Sequence, residues 1–301
     1  MAEIKDFGKV ETDDYTLISI MGVGHNGCRA VSNLYGKTIH TSLAICDAYA
    51  ESLSGSPVEN KVLLKQGDMT ISPQDLIKLL HHKAWIKIII AHLDNNISIQ
   101  AANLLAKGAK EKAKLTIVIA SMPSPMEGAD KMTIAKKGYE ELKGNADSIF
   151  TIDRPTDVVS VEDYFATIEK TLGEYALCLV KINTIHNLIC FDGNDFKTIM
   201  KDSGDAVLAV GYGEGPHRLR IAKEEAIAHI RKRGYAPYHT KWMLVMLIYQ
   251  KWNNDNMKAD MDDLNDFLMK LDDKTEIKWG IIPDETLSKE MKFEIIVTEK
   301  Q

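Results

Sequence analysis

DVVSVEDYFATIEKTLGEYALCLVKINTIHNLICFDGNDFK, residues Asp157 to Lys197, is the stretch around which the chain is organised. Val161, Phe165, Ile168, Leu172, Ala176, Leu179 and Ile182 recur at three- and four-residue spacing, which lines one helical face with apolar groups. Ser160 followed by Asp163 has the form of a capping box, and an acid suits the positive end of a helix. The spacing predicts one long helix that runs out near Asn183. An acidic turn follows, in which Asp192 and Asp195 bracket Gly193 and Asn194, and a new helix is expected over Phe196 to Lys201. A helix of this length between two strand-rich halves reads as a connector. The expected organisation is an α/β domain at 1–156, a central connecting helix at 157–184 and a smaller α+β domain at 185–301.

At 301 residues the chain can hold two cores. Its hydrophobic share of 45% and charged share of 27% are those of an ordinary globular protein. A net charge of −6 argues against nucleic acid as a partner, because a binder carries a basic face. Arg231, Lys232 and Arg233 sit at the end of an expected helix, where cations complement the dipole. The start lacks the apolar run of a signal peptide, and no apolar stretch reaches the roughly 18 residues of a membrane span. Cys28, Cys46, Cys178 and Cys190 are scattered, which suits a reducing cytoplasm.

In the first half, a strand-like run from Tyr15 to Met21 leads into Gly22-Val23-Gly24-His25-Asn26-Gly27 and then a helix. Strand, glycine loop and helix point backbone N–H groups at a phosphate. Gly22, Gly24 and Gly27 fit G-x-G-x-x-G, and Asp47 ends the next strand at the place of a ribose-binding acid, the pattern of a nicotinamide dinucleotide fold. The competing reading is a tight turn that needs glycine for packing. Apolar runs at 85–91, 115–121 and 148–152 alternate with helical segments, which argues a doubly wound parallel sheet. His81, His82 and His92 have no acidic or cysteine partner at ligand spacing, so no metal site is expected. In the second half, strands at 206–211, 242–249, 276–282 and 292–298 and helices at 218–232 and 261–271 suit an α+β domain with a mixed or antiparallel sheet. The acids at 260–266 lack the glycine and terminal glutamate of a calcium loop.

Read together, these stretches resemble FtsZ, the bacterial relative of tubulin. Gly22-Val23-Gly24 with Ala30-Val31-Ser32-Asn33 is similar to that family's first phosphate loop and helix. Ile182-Asn183-Thr184-Ile185-His186 into Phe191-Asp192 resembles the end of its central helix and its catalytic loop, and Asp195-Phe196-Lys197-Thr198-Ile199-Met200 continues the likeness. Ala206 to Gly211 resembles the next strand, and Ile277 to Leu287 the last hairpin of the core. The resemblance implies a Rossmann-like GTPase-type domain, a central helix and a second domain whose acidic loop enters the neighbour's nucleotide site in a head-to-tail filament, a heterologous contact that yields open polymers. It gives Asp192 and Asp195 the role of polarising the attacking water. The nucleotide-binding set on the first domain is then Gly22, Gly24, His25, Asn26, Gly27, Asp47, Asn95, Asn96, Glu127, Lys131 and Glu169, with Glu127 toward ribose and Glu169 toward guanine.

This chain departs from the family at telling places. The second phosphate loop, glycine-rich in the family, is Asp94-Asn95-Asn96-Ile97-Ser98-Ile99-Gln100, without glycine. Two lost charge-assisted bonds at roughly 1.5–3 kcal/mol each weaken phosphate binding by about 10²- to 10⁴-fold. The glycine-alanine loop expected between Gln66 and Leu76 is shortened. His25, Cys28 and Arg29 replace small or amide residues, and Lys131 stands where an arginine is usual. The sequence stops at Gln301, without the tail through which the family docks membrane anchors. The expectation is a filament-forming, bacterial, cytoplasmic protein that binds GTP or GDP weakly or not at all, with Mg2+ only alongside nucleotide. Its expected partner is itself or an FtsZ-type filament, with neither nucleic-acid binding nor direct membrane insertion. A non-catalytic homologue that binds a true FtsZ-type filament is the alternative, and an NAD-binding oxidoreductase a remote third.

Overall fold

The computed structural model describes residues 15–64, 66–67, 70–71, 73–185, 192–251 and 256–298. His186 to Phe191, which carry part of the resemblance above, lie outside the described residues. The chain divides into two compact units, one running up to Thr184 and including Met200–Gly204, the other holding Ile185–Ile199 and Asp205 onward.

The first unit alternates strands and helices: β1 (Tyr15–Val23), α1 (Gly24–Ser32), β2 (Thr41–Asp47), α2 (Ala50–Leu53), β3 (Asn60–Leu63), α3 (Pro73–Leu79), β4 (Lys83–His92), α4 (Asn96–Lys112), β5 (Leu115–Ser121), α5 (Ala129–Asn145), β6 (Ser148–Thr151) and α6 (Val161–Thr184). A two-stranded ladder, Gln66–Gly67 with Thr70–Ile71, stands apart. Within this unit the strand order is β3-β2-β1-β4-β5-β6, all parallel. That is the doubly wound order, with its reversal between β1 and β4. Ile, Val and Ala dominate β4 and β5, whose residues are buried on both faces, as a parallel sheet covered on both sides requires. On one face Met21, Val23, Ile89 and Val118 pack under Ile99, Ala102, Leu105 and Leu142 of α4 and α5.

The predicted stripe on α6 holds over Ile168, Leu172, Ala176, Leu179 and Ile182, all buried. Val161 differs: it is 65% exposed, because it starts the first turn, before the helix meets its neighbour. Ser160 Oγ accepts from the Asp163 N–H at 3.0 Å, and Asp163 reaches back to the Val159 N–H at 3.1 Å. α6 packs along α1, where Gly173 brings the backbones close: a Cβ there would stand 3.4 Å from the Ala30 carbonyl oxygen. Among the described residues no helix is long and apolar enough to cross a membrane.

The second unit comprises α7 (Gly193–Met200), β7 (Gly204–Gly213), α8 (Arg218–Lys232), β8 (Trp242–Tyr249), α9 (Met257–Leu268), β9 (Glu276–Pro283) and β10 (Met291–Thr298). Its order is β9-β8-β10-β7, with β8 and β9 parallel and the remaining pairs antiparallel, so the sheet is mixed. The last hairpin that the resemblance implies at Ile277 to Leu287 is not a directly paired one, because β8 lies between its strands: β9 and β10 each pair with β8 and not with each other. Met243, Val245, Leu247, Phe267, Phe293 and Ile295 fill its core. Arg218 and Asp260 are buried together, with Arg218 Nη2 2.8 Å from Asp260 Oδ2 and the guanidinium 5.0 Å over the Tyr249 ring.

Candidate functional site

The fingerprint glycines lie where β1 turns into α1, at the reversal of strand order, and each has a packing reason. A Cβ on Gly22 would stand 2.4 Å from the Gly27 carbonyl oxygen, and one on Gly27 2.4 Å from the Ile90 carbonyl oxygen. α1 thus rests directly on β1 and β4. Gly24 has φ +70°, and a Cβ there would meet Ser98 Oγ at 2.4 Å. The two stretches that the sequence assigns to phosphate, at Gly24 and at Asn95–Ser98, therefore face each other across a gap that admits only glycine.

What lines that gap is the chain's own side chain. Asn95 is extended (φ −152°) and caps α4, its Oδ1 accepting the Ser98 N–H at 2.9 Å. At a phosphate-binding helix start such an N–H points at the anion; here it is already satisfied. Asn96 is exposed, and the Asp94 carboxylate adds negative charge beside the helix start. His25 is exposed and lies 3.1 Å from Ser52 Oγ through Nδ1, whereas Asn26 is buried. Asp47 is also buried; its Oδ1 accepts the Ala48 N–H at 2.6 Å, and its Oδ2 is enclosed without a hydrogen-bond partner. Burial, with nearby Cys46 and Asp47 adding to it, pushes the Cys28 thiol far up and keeps it protonated. Glu169, on α6, is 5% exposed and accepts from Arg29 Nε at 2.8 Å. Arg29 and Glu169 are 140 residues apart in the chain, and the packing of α6 on α1 joins them.

A third group gathers at the ends of β4 and β5. His92 is buried, its Nδ1 2.6 Å from Ser121 Oγ and its Nε2 3.1 Å from Glu127 Oε2. Glu127 Oε1 accepts from the Ser124 N–H at 2.9 Å and from the Tyr164 hydroxyl at 3.5 Å. Lys131 Nζ stands 3.9 Å from Glu127 Oε2 and 4.0 Å from Asp94 Oδ2. Burial works to raise the Glu127 pKa, but the His92 and Ser124 hydrogen bonds and the charges of His92 and Lys131 outweigh it and hold the carboxyl below its ordinary range.

In the second unit, Asp192 and Asp195 hold each other in a reciprocal cap. The Asp195 N–H donates to Asp192 Oδ1 at 2.8 Å, and the Asp192 N–H to Asp195 Oδ2 at 3.3 Å. α7 consequently starts at Gly193, three residues before the predicted Phe196. Lys278 Nζ lies 2.8 Å from Asp195 Oδ1, and that pairing holds the ammonium above its ordinary pKa. Asp192 stays exposed.

No protein-family profile matches the chain. The cell division protein FtsZ of Porphyromonas gingivalis is 25% identical over 321 aligned positions, covering 98% of this chain and 70% of that protein. Among solved structures, an empty FtsZ dimer from M. jannaschii superposes with a TM-score of 0.79 at 19% identity, over 95% of this chain and 88% of that one. A GTPγS-bound CetZ2 protofilament from Haloferax volcanii follows at 0.68 and 15%, over 94% and 92%. The chain is thus similar to FtsZ proteins over nearly its whole length and shares their fold.

In this fold the spacing of Gly22 and Gly27 is accounted for by the packing of α1 on β1 and β4. Sequence reasoning did not reach two residues that shape the site. Arg29 stood out only as a replacement, and nothing local announces its partner on a helix 140 residues away. His92 looked partnerless because Glu127, its acidic neighbour in space, is 35 residues downstream. The pairing of β4 with β5 brings them together, with His92 and Ser121 in register.

Proposed function

We propose that this FtsZ-family protein is a filament-forming, GTPase-type cytoskeletal or cell-division protein whose own nucleotide side is largely filled by its own side chains. The observation that carries this reading is the Asn95 cap: Asn95 Oδ1 takes the Ser98 N–H that a phosphate would need. Arg29 on Glu169 acts in the same sense at the position that the family assigns to guanine, since a guanidinium offers N–H donors as a guanine edge does. GTP or GDP, with Mg2+ accompanying it, then binds weakly. Asp192 and Asp195 keep their places in the acidic turn. In a head-to-tail contact with a second copy or with an intact FtsZ-type filament, they would supply the water-orienting carboxylates to the neighbour's nucleotide. The protein thus serves as a donor more than as a self-sufficient GTPase.

The test is phosphate release by the protein alone, by an intact FtsZ partner alone and by mixtures, each with and without Asp195→Ala. Little release alone, together with a change in the partner's rate that Asp195→Ala cancels, is the expected pattern. Asp195→Ala also removes one arm of the α7 cap, at about 1 kcal/mol, so Asp195→Asn serves as the control that keeps the cap. Brisk hydrolysis by the protein alone would overturn the donor reading, as would mixtures indifferent to both substitutions.

A further inference from the structure

His92, Asp94 and Glu127 each offer a ligand atom, and these atoms lie within 4.8 Å of one another. The arrangement behind them is what gives this cluster meaning. Each side chain has its far atom held by a separate donor or acceptor. Ser121 Oγ is 2.6 Å from His92 Nδ1, Asn95 Nδ2 donates to Asp94 Oδ1 at 2.8 Å, and the Ser124 N–H donates to Glu127 Oε1 at 2.9 Å. His92 Nε2 and Glu127 Oε2 face each other at 3.1 Å, and Asp94 offers the third ligand atom. Outer partners that orient a histidine and two carboxylates in this way are the usual second layer of a metal site.

We propose that His92, Asp94 and Glu127 form a binding site for a divalent cation of the zinc class. Imidazole nitrogen and carboxylate oxygen are both zinc ligands, and three protein ligands leave a fourth position open for water. The 3.1 Å between His92 Nε2 and Glu127 Oε2 fits two ligands of one ion, since bonds of about 2.1 Å place neighbouring ligands about 3.0–3.4 Å apart. In the tautomer whose Nδ1–H donates to Ser121 Oγ, the Nε2 lone pair is available to a cation beside Glu127 Oε2. Phe165, its ring centroid 6.0 Å from that of His92, shields the imidazole.

Lys131 is the built-in competitor. Its ammonium is 3.9 Å from Glu127 Oε2 and 4.0 Å from Asp94 Oδ2, beyond hydrogen-bond length, and its side chain is 44% exposed. It neutralises the pair when no ion is bound and can swing into solvent when one is. Glu127 and Lys131 are shared with the nucleotide-binding set, but cation binding needs neither nucleotide nor a partner chain and is tested without them.

The experiment is a Zn2+ titration of the full chain without nucleotide, in competition with a chromophoric chelator, with Co2+ absorption reporting coordination. One zinc per chain is expected. Asp94→Asn and Glu127→Gln should each abolish stoichiometric binding, and Ser121→Ala should weaken it about 10- to 100-fold. Lys131→Gln, at a half-exposed position that does not threaten folding, should tighten binding about tenfold or more by removing a cation at about 4 Å. The double substitution His81→Ala, His82→Ala should change nothing. Binding that survives Asp94→Asn and Glu127→Gln, that is lost with the two surface histidines, or that does not tighten in Lys131→Gln would overturn the proposal.

Discussion

Arg29→Ala is the substitution that most directly probes the proposed filling of the nucleotide side. Glu169 is 5% exposed and accepts from Arg29 Nε at 2.8 Å. The arginine side chain is itself 58% exposed, so solvent screens the attraction, and the pair as such is worth about 1 kcal/mol at most. The greater cost falls on the glutamate. Without Arg29 a nearly buried carboxylate loses its charge-assisted donor, and an unsatisfied group of that kind costs about 1–3 kcal/mol. Urea unfolding of Arg29→Ala should therefore show a lower midpoint at unchanged slope. Glu169→Gln in the same background should recover part of the loss, because a neutral amide tolerates the vacated position better. Arg29→Ala also bares Glu169 to ligand N–H donors. GDP should then raise the midpoint of the variant more than that of the wild-type chain, with about 2.7 kcal/mol expected at a concentration 100 times the dissociation constant. An adenine nucleotide, which presents a different edge, should do less. Arg29→Ala that unfolds like wild type and responds to GDP no better would refute the view that Arg29 occupies the guanine position.

Gly27→Ala forces a Cβ to 2.4 Å from the Ile90 carbonyl oxygen, a backbone atom that cannot step aside; a loss of about 2–3 kcal/mol in urea unfolding is expected, at the top of the overpacking range. Arg218→Met leaves fully buried Asp260 without its cation and should cost about 3–5 kcal/mol, with Arg218→Met, Asp260→Asn recovering much of it in a double-mutant cycle. Lys87 is buried, donates to the His82 carbonyl at 2.7 Å, and is pushed from 10.5 down to about 8, chiefly by burial and further by Lys112. Its folded pKa lies below the unfolded one, so the unfolded chain binds the extra proton and wild-type stability should rise between about pH 8 and 10.5, by up to about 3 kcal/mol. Lys87→Met should lack that part of the rise when unfolding midpoints are followed across the same range.

The elements of this fold were legible in the sequence because they are local. Apolar spacing on α6, the Ser160–Asp163 cap and the β-rich runs of β4 and β5 depend on residues a few positions apart, and the structure places them as read. For the second sheet the sequence left mixed or antiparallel pairing open, and only the tertiary structure decided that it is mixed. Where local pattern misled, at Val161 and at the start of α7, the cause was an element end, where side-chain caps decide the boundary. The G-x-G-x-x-G spacing was visible too, but not its reason. Only the tertiary structure decided that Gly22 and Gly27 serve close backbone packing, since both close approaches arise when α1 comes down on the sheet. The same holds for Arg29 with Glu169 and for His92 with Glu127. An attraction between side chains 140 or 35 residues apart leaves no periodicity in a sequence; it exists once parallel strands and packed helices have fixed which ends meet.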